Sequence, residues 1–200
     1  APVPTPGPAG RHSLALRPLL RRLGTDRKAC VLDLGPASGA NVAFFSRRPC
    51  TLHIADLYRA LRSDSGLPRD AAELDSALAP QLPEGPFDLV LAWDLLDYFD
   101  RAQLEVLGRH LAERCRPSAL VFAIVSYLHQ IPDRPHRFEI LDEESLVYGD
   151  ASGLSRPSPG YREPELVRLL PGFAVEASYL LRHGVQEYVL ARRPETAPPV

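Results

Sequence analysis

Residues 31–39, Val-Leu-Asp-Leu-Gly-Pro-Ala-Ser-Gly, constrain the fold more than any other stretch of the chain. Two apolar residues lead into Asp33, and Gly35 and Gly39 follow with small residues between them. A buried strand turns into a helix in this way. Glycine lets the backbone bend and approach a ligand closely, and the first turn of the helix leaves N–H groups free for polar ligand atoms. Asp56 stands 21 positions after Gly35, at the end of a second apolar stretch, Thr51 to Ala55. A carboxylate there can accept both hydroxyls of a ribose. Together the two features predict an adenosine-bearing cofactor.

The rest of the chain extends this alternation. Ala29–Leu34, Thr51–Ala55, Phe87–Ala92 and Ala119–Val125 read as buried strands. Ala40–Arg48 reads as a helix with Val42 and Phe45 inward, and helical pieces surround Ala60 and Ala72. Asp100 and Gln103 form a capping-box pattern ahead of Leu104, Leu107 and Leu111 at helical spacing. Leu14–Leu23 reads as a short helix with Pro18 in its first turn and Gly24 at its end, a candidate cover for the cofactor pocket. Unbroken apolar strands alternating with helices predict a parallel sheet covered on both faces. The end of the chain differs. A helix from Pro164 to Leu170 is followed by two strands, Phe173–Leu181 and Gln186–Arg192, whose short turn at His183-Gly184 forces antiparallel pairing. The expected fold is therefore α/β: a three-layer, doubly wound, mostly parallel sheet ending in an antiparallel hairpin.

Two hundred residues suit one domain, here residues 11–194. The first ten residues, with four prolines, are expected to form a disordered tail, as are residues 195–200. The absence of Met implies that the first residue is not the translational start, or that the start has been removed. Residues 126–162 contain four prolines and no clear periodicity. They follow the carboxyl end of a core strand, where ligands sit in open α/β sheets, and are expected to face the substrate. A formal charge of −2 argues against a nucleic-acid partner. No apolar run reaches membrane-span length. Cys30, Cys50 and Cys115 lack metal spacing and fit a reducing, cytoplasmic compartment; no metal site is expected.

A dinucleotide fingerprint would need glycine where Ala37 and Ala40 stand, and Asp33 would oppose a pyrophosphate. A ligand carrying an ammonium or sulfonium would welcome that carboxylate. The chain resembles the class I S-adenosylmethionine-dependent methyltransferases across residues 28–193. The resemblance lies in residues 31–39, in Asp56, in Phe87-Asp88-Leu89-Val90-Leu91-Ala92, and in the closing Gln186-Glu187-Tyr188-Val189-Leu190. Ala37 departs from the family's middle glycine. The resemblance implies a seven-stranded sheet with a reversed final strand and S-adenosylmethionine as cofactor. It also implies that Gly35, Pro36, Ala37 and Gly39 shape the loop under the methionine portion. Asp33 would hold its ammonium, Asp56 would take the ribose, and Leu57 would flank the adenine. Ala92, Trp93 and Asp94 would line the pocket on its reactive side.

Each assignment has a plainer rival. Gly35 and Gly39 could be turn glycines, Asp56 a helix cap, Asp33 a buried hydrogen-bonding carboxyl, Asp94 a local cap and Trp93 a core residue. His129, His136, Tyr161, Arg156 and Arg162 lie in the long segment and read equally well as surface. Methyl transfer to a good nucleophile depends on positioning more than on acid–base help. For a hydroxyl acceptor, Asp94, His129 and His136 are the candidate bases. The stretch Trp93-Asp94-Leu95-Leu96 lacks the Asn/Asp-Pro-Pro-aromatic pattern of enzymes that methylate base or amide nitrogens. A small-molecule acceptor is expected, with a protein acceptor open. Two alternatives stand beside the methyltransferase: a catalytically silent domain of that fold acting as a binding partner, and a nicotinamide oxidoreductase.

Overall fold

The computed structural model describes residues 10–23, 27–64, 66–149, 153–181 and 184–194. The expected tails, apart from Gly10, fall outside these residues, as do Gly24 and His183. The chain opens with β1 (Arg11–His12) and α1 (Leu16–Arg22). The first core strand, β2 (Ala29–Asp33), leads through the glycine turn into α2 (Gly39–Ser46), which Ser38 caps by accepting from the Ala40 N–H. Then come β3 (Cys50–Ile54), α3 (Leu57–Leu61) and α4 (Ala71–Gln81), the last capped by Asp70. β4 (Phe87–Trp93) runs into a 3₁₀ turn, Leu95–Tyr98, and then α5 (Arg101–Arg114). The Asp100–Gln103 capping box is present in full. After β5 (Cys115–Ser126), four short strands follow: β6 (Gln130–Pro132), β7 (Phe138–Ile140), β8 (Ser145–Tyr148) and β9 (Ser155–Pro157). The chain closes with α6 (Glu163–Leu169), β10 (Phe173–Leu180) and β11 (Val185–Arg192).

The main sheet has the order β10-β11-β5-β4-β2-β3. Pairing is parallel from β3 to β5 and antiparallel on both sides of β11, so only β11 runs against the rest. Six strands are present where the resemblance implied seven, among the described residues. The stretch after β3 forms α3 and α4 instead of a further edge strand. Leu74 and Leu78 of α4 are fully buried in the core, so this stretch spends its apolar residues on a helical face.

One face of the sheet packs on α3 to α6 through Leu57, Leu74, Leu104, Leu107 and Leu166. The other packs on α1 and α2 and on a small sheet of order β1-β8-β7, through Leu16, Phe44, Phe45, Phe138 and Leu146. The expected three layers are present. Two expectations on this face fail. Val42 is 46% exposed, and Phe44 turns inward with Phe45 instead. Residues 126–162 carry strand pairs, β6 with β9 and β7 with β8. Helix α1 packs on the sheet face and contributes no residue to the cleft at Asp56, so it is not the cover that was expected. No helix among the described residues is long and apolar enough to cross a membrane.

Candidate active site

The glycine turn, the ends of β3 and β4, and the strap formed by β7 and β8 meet at the carboxyl edge of the sheet. Asp33, the last residue of β2, is 1% exposed and fully engaged. Its Oδ1 accepts from the Gly35 N–H at 2.9 Å and from the Trp93 Nε1–H at 2.6 Å; its Oδ2 accepts from Asn41 Nδ2 at 3.3 Å. Burial raises its pKa, these donors oppose the rise, and the charge of Asp56 adds to it. Asn41 also donates to the Phe138 carbonyl at 3.1 Å and accepts from the Ile140 N–H at 2.8 Å. One amide thus fastens the strap to the glycine turn. Ser38 Oγ adds a bond to Glu139 at 3.0 Å.

Trp93 sits at the irregular end of β4 with φ at +51°, a left-handed conformation that bulky residues rarely adopt. Such strain costs about 1–3 kcal/mol and collects at functional sites. The indole is buried, stacked on Phe138 with ring centres 5.1 Å apart and planes within 4°, and set edge-on to Phe122. A side chain on Gly35 would begin 2.8 Å from the indole Cδ1 and 3.0 Å from Nε1. The bareness of Gly35 is therefore used by tryptophan, which covers the loop expected to cradle a methionine tail.

The other end of the site is open. Asp56 also has a positive φ, +42°, which aspartate tolerates. It lines a broad cleft with Pro36, Tyr58, Arg59 and Arg134. Gly39 and Ala37 are exposed beside it, and a side chain on Gly39 would meet nothing within 4 Å. Two expected lining residues are corrected. Leu57 and Ala92 are wholly buried in the core, because each points to the helix-covered face of the sheet. Tyr58 takes the place at the cleft wall that Leu57 was expected to fill.

Asp94 follows Trp93 and turns toward the strap. Its Oδ2 accepts from the His136 N–H at 3.0 Å and from His136 Nδ1 at 2.6 Å. The imidazole and its own backbone N–H are thus both tied to one carboxyl oxygen. Asp97, in the 3₁₀ turn, accepts from the Ser126 N–H at 2.8 Å. Its pKa is pushed up to about 8, first by burial and further by the charge of Asp94, against the Ser126 bond and the charge of Arg156. Of the other candidates, Tyr161 is core and donates to the Phe99 carbonyl at 2.6 Å. Arg156 and Arg162 lie over the rings of Tyr98 and Tyr127, and His129 is exposed. Asn41, Phe138, Tyr58 and Asp97 belong to the site without having been singled out from sequence. Asn41 and Tyr58 sit just after the two predicted turns, which is the one signal that could have found them.

The sequence matches the family model of the methyltransferase domain over residues 10–145. No curated protein matches it. Among solved structures, it is similar to a TehB-like SAM-dependent methyltransferase from Corynebacterium glutamicum, with 11% identity over 90% of this chain and 87% of that one and a TM-score of 0.50. It is similar to an S-adenosylmethionine-dependent methyltransferase from Clostridium acetobutylicum, with 10% identity over 82% and 84% and the same TM-score. It also aligns with the 1,6-didemethyltoxoflavin-N1-methyltransferase of Burkholderia thailandensis, with 19% identity over 90% and 79% and a TM-score of 0.44.

Proposed function

The chain belongs to the methyltransferase-domain family, and from that membership we propose that it moves a methyl group from S-adenosylmethionine to a small molecule. The cofactor supplies the methyl on a sulfonium; the chain's residues supply binding, orientation and exclusion of water. The observation that carries the reading is the open cleft beside Asp56, one strand away from the glycine turn. Asp56 takes the ribose hydroxyls there, and Tyr58 and Pro36 wall the nucleoside.

The residues fit the nucleoside half of the cofactor. With the indole as it stands, they do not fit the amino-acid half. Every oxygen of Asp33 is held by protein donors, and Trp93 fills the space above Gly35. In this reading the indole leaves Asp33 when the cofactor binds, and an ammonium replaces its N–H. A silent, binding-only domain is the second reading, and the same covered glycine favours it.

Trp93 is the only tryptophan in the chain, so its emission reports on the site directly. Calorimetry with S-adenosylhomocysteine, S-adenosylmethionine and NAD, run beside a fluorescence titration, tests the proposal. Binding of the first two, with a red shift as the indole leaves its apolar stack, is the expected result. Saturable NAD binding with no response to either sulfur compound overturns it. Binding with unchanged emission leaves the indole in place and favours the silent domain.

A further inference from the structure

The cleft at Asp56 extends past the groups that would hold the ribose. Its volume is about 750 Å³, within the ~300–1,000 Å³ range of small-molecule sites. Beyond Asp56, Tyr58 and Pro36, three arginines line it: Arg59 on α3, Arg62 at the C-terminal cap of that helix, and Arg134 between β6 and β7. Other arginines of the chain are occupied. Arg27, Arg48 and Arg101 pair with carboxylates, and Arg156 and Arg162 lie on aromatic rings. The guanidinium groups of Arg59 and Arg62 have no hydrogen bond, ion pair or ring contact among the described residues. Arg134 has one long ion pair, 3.7 Å, to Asp133. The acids of the lining are Asp56 and Asp64, and neither is ion-paired to these arginines.

The ligand class follows from this lining. A guanidinium is a planar fork of donors that meets a phosphate at two points. A carboxylate such as Asp56 accepts from neighbouring hydroxyls. Tyr58, its hydroxyl donated to the Asp133 carbonyl at 3.1 Å and its ring edge-on to Tyr98, gives a base a fixed wall. Paired hydroxyls, a base and a phosphate together describe a nucleoside 5′-phosphate. Such a ligand asks nothing of Asp33 and needs no space above Gly35, both of which the protein itself occupies. We propose that the cleft also takes a nucleoside 5′-diphosphate, with its ribose on Asp56 and its phosphates on Arg59, Arg62 and Arg134. The assignment rests on the reading of Asp56 as the ribose acceptor.

The two ligands then share one ribose contact and exclude each other. They differ at the glycine turn. An S-adenosyl compound has to move the indole from Asp33 to seat its ammonium. The nucleotide leaves the Trp93–Phe138 stack as it stands. A bound nucleotide thus holds the site with the turn covered and lowers the apparent affinity for the methyl donor.

Calorimetry on the full chain compares adenosine, ADP without divalent metal, and S-adenosylhomocysteine, with Trp93 emission recorded alongside. ADP binds at least tenfold more tightly than adenosine, and the gap narrows as salt is raised. Saturating ADP leaves the emission unchanged, and adenosine competes with it. The double variant Arg59→Gln, Arg62→Gln binds ADP no better than adenosine. Arg134→Gln narrows the gap and serves should the double variant not fold. Equal affinity for adenosine and ADP, or unchanged ADP affinity in a folded variant, overturns the assignment. A red shift on ADP binding puts the phosphates over Gly35 instead of on the arginines and overturns it too. S-adenosylhomocysteine binding without a preference for ADP removes the nucleotide site and leaves the methyltransferase standing. Arginine-dependent ADP binding without any S-adenosylhomocysteine binding keeps the nucleotide site and removes the methyltransferase.

Discussion

At the scale of single residues, Asp33 and Asp56 share a chemistry and differ in availability. Asp33 is satisfied by three protein donors, while Asp56 stands at an open cleft. Asp56→Ala is expected to weaken S-adenosylhomocysteine binding by at least ~1 kcal/mol, the scale of lost charge-assisted hydrogen bonds, without altering the circular dichroism of the fold. A calorimetric titration of the folded variant checks this. Gly35→Ala acts on the opposite end. Its methyl group would start 2.8 Å from the indole, so either the turn or the ring shifts. The expected result is a loss of about 1–3 kcal/mol in denaturant unfolding, as for an overpacked core, together with a red shift of the Trp93 emission. Asp33, Gly35 and Asp56 were legible because their places are set by the strand–turn–helix pattern. The role of Trp93 was not, because a positive φ in a bulky residue has no sequence signature. The same spacing suits an indole that lines a pocket and one that fills it. Leu57 and Ala92 failed for a related reason: a strand or helix end offers two faces, and one position of slip sends a side chain to the other.

At the scale of elements, the glycine turn and the strap form one unit through Asn41. Its amide spans Asp33, the Phe138 carbonyl and the Ile140 N–H. Asn41→Ala leaves those buried groups short of partners and should cost about 1–3 kcal/mol. The signature that separates this from general destabilisation is local. Hydrogen exchange at Ile140 should accelerate well beyond that of β4 and β5, and uniform acceleration would show that Asn41 does not pin the strap. Elements with strong local chemistry were readable in advance. The Asp100–Gln103 capping box and the unbroken apolar run of β4 specify their structure within a few residues. Among the short strands after β5, β6 pairs with β9 far along the chain, and the strap strands β7 and β8, though joined by a short connection, are only three and four residues long, too short to show a clear alternation. Their stability comes from packing on α2 and on the Trp93 ring, which only the assembled fold supplies.

For the whole molecule, stability depends on carboxyl groups kept from water. Asp33, Asp97 and Glu187 all have raised pKa values, with burial as the leading cause. A buried acid that holds its proton more tightly folded than unfolded stabilises fully at low pH. For Asp97 that contribution is intact below about pH 4, declines through neutrality and is gone by about 8. Asp97→Asn removes this slope. Its melting temperature should therefore gain on the parent's as pH rises from 5 to 8, and parallel profiles would show that the group is not protonated when folded. The layered sheet with its reversed strand was readable from the order of apolar runs, because such runs fit only a sheet covered on both faces. The number of strands was not, since the residues after β3 satisfy burial equally well as helix. Glu187 has a further effect. From the reversed strand β11 it accepts the N–H groups of Leu14 and Ala15 at 2.9 Å, while β1 pairs with β8 of the strap. The front of the chain is thereby laced to both the hairpin and the catalytic edge. Any shortened expression product that starts beyond Ala15 would unbutton the garment from its collar.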